Sequence, residues 1–217
     1  MLSTSPCRAD PAAGCKVAIA ALSLPDNFTG EVHWRASAKD GTSPLQLSKR
    51  YFSEHLKVPR SVIQFYREAV VADQEEPLPE PLLTVKIAAG IDLAYVVLRT
   101  ESGKDGSEEM KATIIPANLW KPGCLKVFNA SPDTVGMIAG KKKIQLPRGK
   151  SLDFHANQWQ APFPVKIYQL QPKSRLLFSS TWRVAAGRRE LCFIGMAGKA
   201  VKLRSLIEFK KPPPKNN

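Results

Sequence analysis

The sequence predicts an all-β protein of two β-sandwich lobes in tandem, related by a diverged internal duplication. Three observations predict it. Leu56-Lys57-Val58-Pro59-Arg60 ending in Phe65-Tyr66 recurs as Ile144-Gln145-Leu146-Pro147-Arg148 ending in Phe154-His155. Val85-Lys86-Ile87-Ala88-Ala89-Gly90 leads into Leu93-Ala94-Tyr95-Val96, just as Trp182-Arg183-Val184-Ala185-Ala186-Gly187 leads into Leu191-Cys192-Phe193-Ile194; Ala36-Ser37 is echoed by Ala130-Ser131. Echoes in one order mark a repeated unit. Second, 18 prolines and 13 glycines punctuate short apolar runs over 217 residues, so that no long helix is advertised. Third, segments such as Glu31-Val32-His33-Trp34-Arg35 alternate with period two, the pattern of a strand with one wet face.

Each element follows in order. Residues 1–14 are small, polar and proline-containing, the composition of a flexible leader. Residues 16–24 read as a buried strand, Pro25-Asp26-Asn27 as a turn, and 31–35 as the alternating strand, closed by Lys39-Asp40-Gly41. Short strands follow at 45–47 and Tyr51-Phe52, and a longer one, rich in branched and aromatic residues, at 62–67. The acidic, proline-bearing run 73–81 cannot continue a ladder and reads as a solvated connection. Strands at 82–87 and 94–99 flank Ala88-Ala89-Gly90. The polar tract 101–109 is a hairpin or linker, and 111–116 pairs back on 94–99, so the first sandwich spans 15–119. The second, 120–209, carries strands at 125–129, 134–138, 143–146, 152–155, 165–169, 176–183, 190–196 and 201–209, which suit Greek-key connections. Residues 210–217 read as a disordered tail.

The composition, 43% hydrophobic and 24% charged, is that of a globular chain, and a formal charge of +13 favours anionic partners. That charge is dispersed, as solubility alone would have it, and thickens at Lys141-Lys142-Lys143 and Arg188-Arg189, the candidate anion contact. An acidic glycan fits such a patch. Nucleic acid is disfavoured, because Trp34-Arg35 and Trp182-Arg183 are adjacent on strands and point to opposite faces, which is core-and-surface alternation rather than a stacking platform. Trp159-Gln160-Ala161-Pro162-Phe163-Pro164 is a proline-stiffened loop with two readings: Trp159 and Phe163 present an apolar contact, or they plug one end of the sandwich.

Catalysis is not expected. Three histidines, His33, His55 and His155, carry no catalytic signature, and no nucleophile elbow, phosphate-binding glycine loop or metalloprotease helix is found. Gly136 and Gly140 lie in strand-like surroundings. Cys7, Cys15, Cys124 and Cys192 have no close pair at zinc spacing, so neither metal nor cofactor is expected. Cys192 reads as a small buried apolar residue, or as half of a bridge to Cys124; a Cys7–Cys15 bridge needs an oxidising compartment. No run reaches the length of a membrane span, and Asn27-Phe28-Thr29 and Asn129-Ala130-Ser131 are chance-level sequons.

The run Leu125-Lys126-Val127-Phe128-Asn129-Ala130-Ser131-Pro132, with Ile144-Gln145-Leu146-Pro147-Arg148-Gly149, Ser180-Thr181-Trp182-Arg183 and Arg188-Arg189-Glu190-Leu191, resembles the second half of a set of uncharacterised exported bacterial proteins. Ala20-Ala21-Leu22-Ser23-Leu24 through Trp34, and Leu45-Gln46-Leu47-Ser48, resemble their first half. The resemblance implies two immunoglobulin-like β-sandwiches behind a signal peptide removed on export, and some such proteins are similar to envelope components of type IV pilus clusters. It implies no active site. The function expected is a non-catalytic protein of the periplasm or cell surface, acting on a protein partner or by self-association; the alternative is a basic module for acidic glycans or nucleic acid.

Overall fold

The computed structural model describes residues 14–24, 30–37, 39–59, 62–72, 79–102, 108–197 and 200–208. The expected leader up to residue 13, the tail, Cys7, the Asn27 sequon and the centres of the acidic connection and the 101–109 tract lie outside them. The chain divides into two compact units between Leu119 and Trp120.

The first unit holds β1 (Cys15–Ala21), β2 (Glu31–Arg35), β3 (Ser43–Gln46), β4 (Leu56–Val58), β5 (Val62–Tyr66), β6 (Leu83–Lys86), β7 (Leu93–Ser102) and β8 (Glu108–Pro116). A 3-10 turn, Ala117–Leu119, ends it. The second holds β9 (Cys124–Asn129), β10 (Val135–Ala139), β11 (Lys142–Leu146), β12 (Ser151–His155), β13 (Phe163–Gln169), β14 (Arg175–Trp182), β15 (Arg189–Ala197) and β16 (Ala200–Ile207). Every strand expected after residue 120 is present. Tyr51-Phe52 is not a strand: Tyr51 makes a single bridge, while Phe52 is buried edge-on against Tyr95 with ring centroids 5.0 Å apart. Three-residue β4 stands where the sequence showed only a repeat.

Each unit is a sandwich of two four-stranded sheets, ordered β4-β1-β7-β8 and β3-β2-β5-β6 in the first, β12-β9-β15-β16 and β11-β10-β13-β14 in the second. The order is the same strand for strand. In both, the first strand lies parallel to the seventh while all other pairs are antiparallel. Period-two burial explains the cores. Val17, Ile19, Val96 and Leu98 of one sheet meet Val32, Ile63, Phe65 and Val85 of the other, and Leu125, Val127, Cys192 and Ile194 meet Met137, Val165 and Ile167.

The backbone fixes which residues correspond. Leu22 N–H donates to Leu98 O at 2.7 Å and Ala130 N–H to Ile194 O at 2.9 Å; Ala21 N–H donates to Ser48 O and Asn129 N–H to Lys150 O, both at 3.0 Å. Ala21 therefore corresponds to Asn129, and Leu98 to Ile194. Of the three sequence echoes, only the Ala-Ala-Gly turn joins equivalent places, the β6–β7 and β14–β15 connections, where Gly90 and Gly187 have φ of 81° and 77°. The strand after it is offset by two residues, so Cys192 corresponds to Val96 rather than to Ala94 or Tyr95. The other echoes are out of register. Leu56-Lys57-Val58 is β4, but Ile144-Gln145-Leu146 is in β11, the counterpart of β3; Ala36-Ser37 follows β2, whereas Ala130-Ser131 follows β9, the counterpart of β1.

Candidate functional site

The chemistry-bearing groups singled out by sequence gather at one end of the second sandwich, where β9, β11, β13 and β15 begin and β10, β12 and β14 finish. There Phe154, Trp159, Phe163 and Trp182 close the core: Trp159 and Phe163 centroids are 4.1 Å apart, Phe154 lies 5.4 Å from Trp159, 5.5 Å from Phe163 and 6.5 Å from Trp182. Phe163 is 5% exposed and belongs to the core of the second sandwich, while Trp159 is half-buried and packs against that core. The physical reason is that β13 starts at Phe163, which turns its side chain inward.

The basic candidates separate into two kinds. Lys141, Lys142 and Lys143 are exposed on the β10–β11 hairpin, with Lys142 Nζ 5.6 Å from the Trp159 ring centroid. Arg188 and Arg189 carry their own counterions. Arg188 Nη2 lies 2.8 Å from Glu190 Oε2, and Arg189 Nη1 donates to Glu208 Oε1 and Oε2 at 2.8 and 2.9 Å across the β15–β16 pair. Arg189 Nε also donates to the Trp120 carbonyl. Arg189 is thus a fastening between the entry to the second sandwich and its last strand, and of the basic candidates Lys141, Lys142 and Lys143 are the ones exposed without an ion pair among the described residues.

Cys124 and Cys192 do not bridge to each other. Cys124 opens β9 with its side chain on the outer face, whereas Cys192 of neighbouring β15 pairs with Val127 and points into the core. Cys15, Cys124 and Cys192 are all buried. Burial pushes the Cys192 thiol up to about 12, with a Ser205 hydrogen bond pulling the other way and the Glu190 charge adding to the rise. Burial and then the Asp153 charge push Cys124 up to about 11, against Lys126. Such thiols are poor nucleophiles.

What the sequence did not reveal is that Cys124 stands beside Asp153 and His155. Register alone brings them together: His155 is directly opposite Cys124 and Asp153 opposite Lys126 on the β12–β9 pair, and residues two apart on β12 share a face. One donor atom from each of Cys124, Asp153 and His155 lies within 4.8 Å of the others. Asp153 Oδ1 and Oδ2 accept from Lys126 Nζ at 2.6 and 2.9 Å. His33 is elsewhere, 3.7 Å from Glu31 in β2, and His55 is exposed before β4.

A second feature is the edge of the sheet β11-β10-β13-β14. Native sheets guard their edges with prolines, charges, bulges or brevity. In this protein β3 has Pro44, β4 and β6 are short, β8 carries Glu108, Glu109 and Lys111, β11 Lys142 and Lys143, β12 Asp153, and β16 Lys202 and Arg204. The exception is β14. A bulge marks its start, where Ile167 pairs with Phe178 and Tyr168 with Leu176, but the remainder, Phe178-Ser179-Ser180-Thr181-Trp182, has neither charge nor proline. Gly140 N–H donates to Pro164 O at 2.8 Å, so Pro164 turns its backbone toward β10 while Phe163 and Val165 turn theirs toward β14. Trp182 and Ser180 consequently bond β13, and the N–H and C=O of Ser179 and Thr181 face outward along an exposed edge.

Among the described residues no helix is long and apolar enough to cross a membrane. No protein-family model matches the chain, and no curated protein matches it.

Proposed function

We propose that the protein is a non-catalytic, exported component of a bacterial envelope or cell-surface structure, pilus-associated by resemblance, that works by assembly through the free edge of β14. The observation that carries this reading is the unguarded stretch of residues 178–182, whose outward Ser179 and Thr181 backbone groups are a template for strand addition. The occupant is a second copy of the chain. Two β14 strands laid antiparallel bring no like charges together over that stretch, whereas self-pairing of β11 or β16 sets lysine and arginine against one another. Arg188 and Arg189 are internally paired, which leaves less free basic surface for the alternative reading, a module for acidic glycans or nucleic acid.

The test is light scattering across protein concentration for the wild type and Thr181→Pro, beside a titration with a sulfated polysaccharide at low and high salt. Thr181 donates nothing to the β13 ladder, so proline there blocks the edge and spares the sandwich. The expected result is concentration-dependent association lost in Thr181→Pro at unchanged thermal midpoint. A wild type that stays monomeric throughout, or that associates equally well as Thr181→Pro, overturns the reading; tight polyanion binding that collapses with salt replaces it by the alternative.

A further inference from the structure

We propose that Cys124, Asp153 and His155 form a binding site for a zinc-class divalent metal ion, a role independent of assembly at β14. The donors are a sulfur, an imidazole nitrogen and a carboxylate oxygen, the set that zinc takes at neutral pH. A tetrahedral ion at the usual bond lengths of about 2.0 to 2.3 Å draws its donors to roughly 3.3 to 3.6 Å from one another. An ion would therefore draw the three donors inward from the 4.8 Å envelope observed here.

The scaffold is already rigid. His155 and Cys124 are a direct cross-strand pair, Asp153 shares their face, and the His155 carbonyl is held by the N–H groups of Gln158 and Trp159 at 2.9 and 3.0 Å. Trp120 Nε1–H donates to the Cys124 carbonyl at 3.3 Å, fixing the other strand. Among the described residues the His155 ring makes no hydrogen bond, so its nitrogens remain available to a ligand. Cys124 is buried while Asp153 and His155 are half-buried, which places the sulfur at the bottom of the site and the other two donors at its mouth. Three protein donors leave a fourth position to solvent, the arrangement of an open metal centre rather than a closed structural one.

Lys126 is the built-in competitor. Its ammonium holds both oxygens of Asp153, so an ion takes the carboxylate by displacing a cation of the protein's own. Affinity is set by that exchange, and Lys126 is a position where affinity can be raised.

The experiment is titration of the full chain with Co²⁺, the spectroscopic stand-in for Zn²⁺, read by the thiolate-to-cobalt charge-transfer absorption and the visible bands of a tetrahedral ion. The expected result is one Co²⁺ bound with a thiolate band that Cys124→Ala abolishes and that removal of Cys15 and Cys192 leaves. His155→Ala weakens binding by more than the roughly tenfold that loss of an outer partner costs. Lys126→Met tightens it. A wild type without a thiolate band, or a band that persists in folded Cys124→Ala, overturns the proposal. Should Cys124→Ala fail to fold, His155→Ala and Lys126→Met decide alone: affinities equal to the wild type in both sink it.

Discussion

Asn129 Nδ2 donates a 2.8 Å hydrogen bond to the Leu146 carbonyl, joining the end of β9 in one sheet of the second sandwich to the end of β11 in the other. The same amide donates to Asp133 O at 2.8 Å, and its Oδ1 accepts from Ser131 N at 2.9 Å and Ser131 Oγ at 2.5 Å. Asn129 is fully buried, so every polar atom of its side chain is satisfied internally. Its carbonyl accepts from Gly149 N–H at 2.8 Å.

Asn129→Leu keeps approximate volume and removes all four side-chain bonds. The Leu146 carbonyl and the Ser131 N–H are left without them in a dry site, at about 1 to 3 kcal/mol each. The expected loss is at least about 2 kcal/mol, read as a lower denaturant midpoint at unchanged slope. The same committed amide makes the Asn129 sequon unusable in the folded protein: glycan attachment, assayed by mass, is expected only on unfolded chain.

How much of this was legible in the sequence follows from what each signal measures. Alternation at 125–129 reports which side chains face a core, and burial follows it; at 31–35 it does not, because Arg35 is buried with its guanidinium over the Tyr66 ring while Trp34 is only half-buried. The register of the repeat was not legible, because the Pro59-Arg60 and Pro147-Arg148 pairs end strands that are not equivalent; a proline after a strand ends a ladder wherever it stands. Hydrogen-bond partners such as Leu22–Leu98 and Ala130–Ile194 settle the matter, and those are long-range facts. The Cys124, Asp153 and His155 cluster was hidden for the same reason: only β9–β12 pairing unites it. The packing of Trp159 and Phe163 on Phe154 was equally out of reach, since Phe154 arrives from a different strand. The unguarded β14 edge requires knowing which strands are edges, which composition does not say.

Cys192 corresponds to Val96 of the first sandwich, which predicts that Cys192→Val is tolerated to within about 1.5 kcal/mol at neutral pH. It also removes an alkaline weakness. The folded thiol titrates at about 12 against 9.0 for the free group, so between those values the unfolded chain releases a proton that the native state keeps. Stability therefore falls as pH rises above 9, by roughly 1 kcal/mol for each pH unit from this thiol. Urea unfolding from pH 8 to pH 10 is expected to show a shallower decline in Cys192→Val than in the wild type.

Gly140 opens the two-residue turn between β10 and β11 with φ of 58°, and a Cβ there would lie 3.2 Å from Trp159 Cζ3. Two costs add in Gly140→Ala: left-handed backbone, at about 1 to 2 kcal/mol, and displacement of the indole that caps Phe154 and Phe163. The expected outcome is a destabilisation of about 2 kcal/mol with altered near-ultraviolet dichroism from the tryptophans. Gly149→Ala is the control, since its φ of 72° carries the backbone cost but nothing lies within 4 Å of its Cβ.

Arg188 and Arg189 are neighbours in sequence with opposite expectations. Arg188 and Glu190 pair at 2.8 Å, with the arginine side chain 44% exposed, and a wet pair of this kind is worth about 0 to 1 kcal/mol. The Arg189–Glu208 pair is 15% and 12% exposed, and Arg189 also holds the Trp120 carbonyl. Glu208→Gln leaves that guanidinium partly dehydrated without its charge partner, which costs about 3 kcal/mol. Arg188→Ala is expected to leave the thermal midpoint within a degree or so of the wild type, while Glu208→Gln lowers it by several degrees. Equal midpoints in the two variants would show that Arg189 is solvated, and would return it to the surface available to anions.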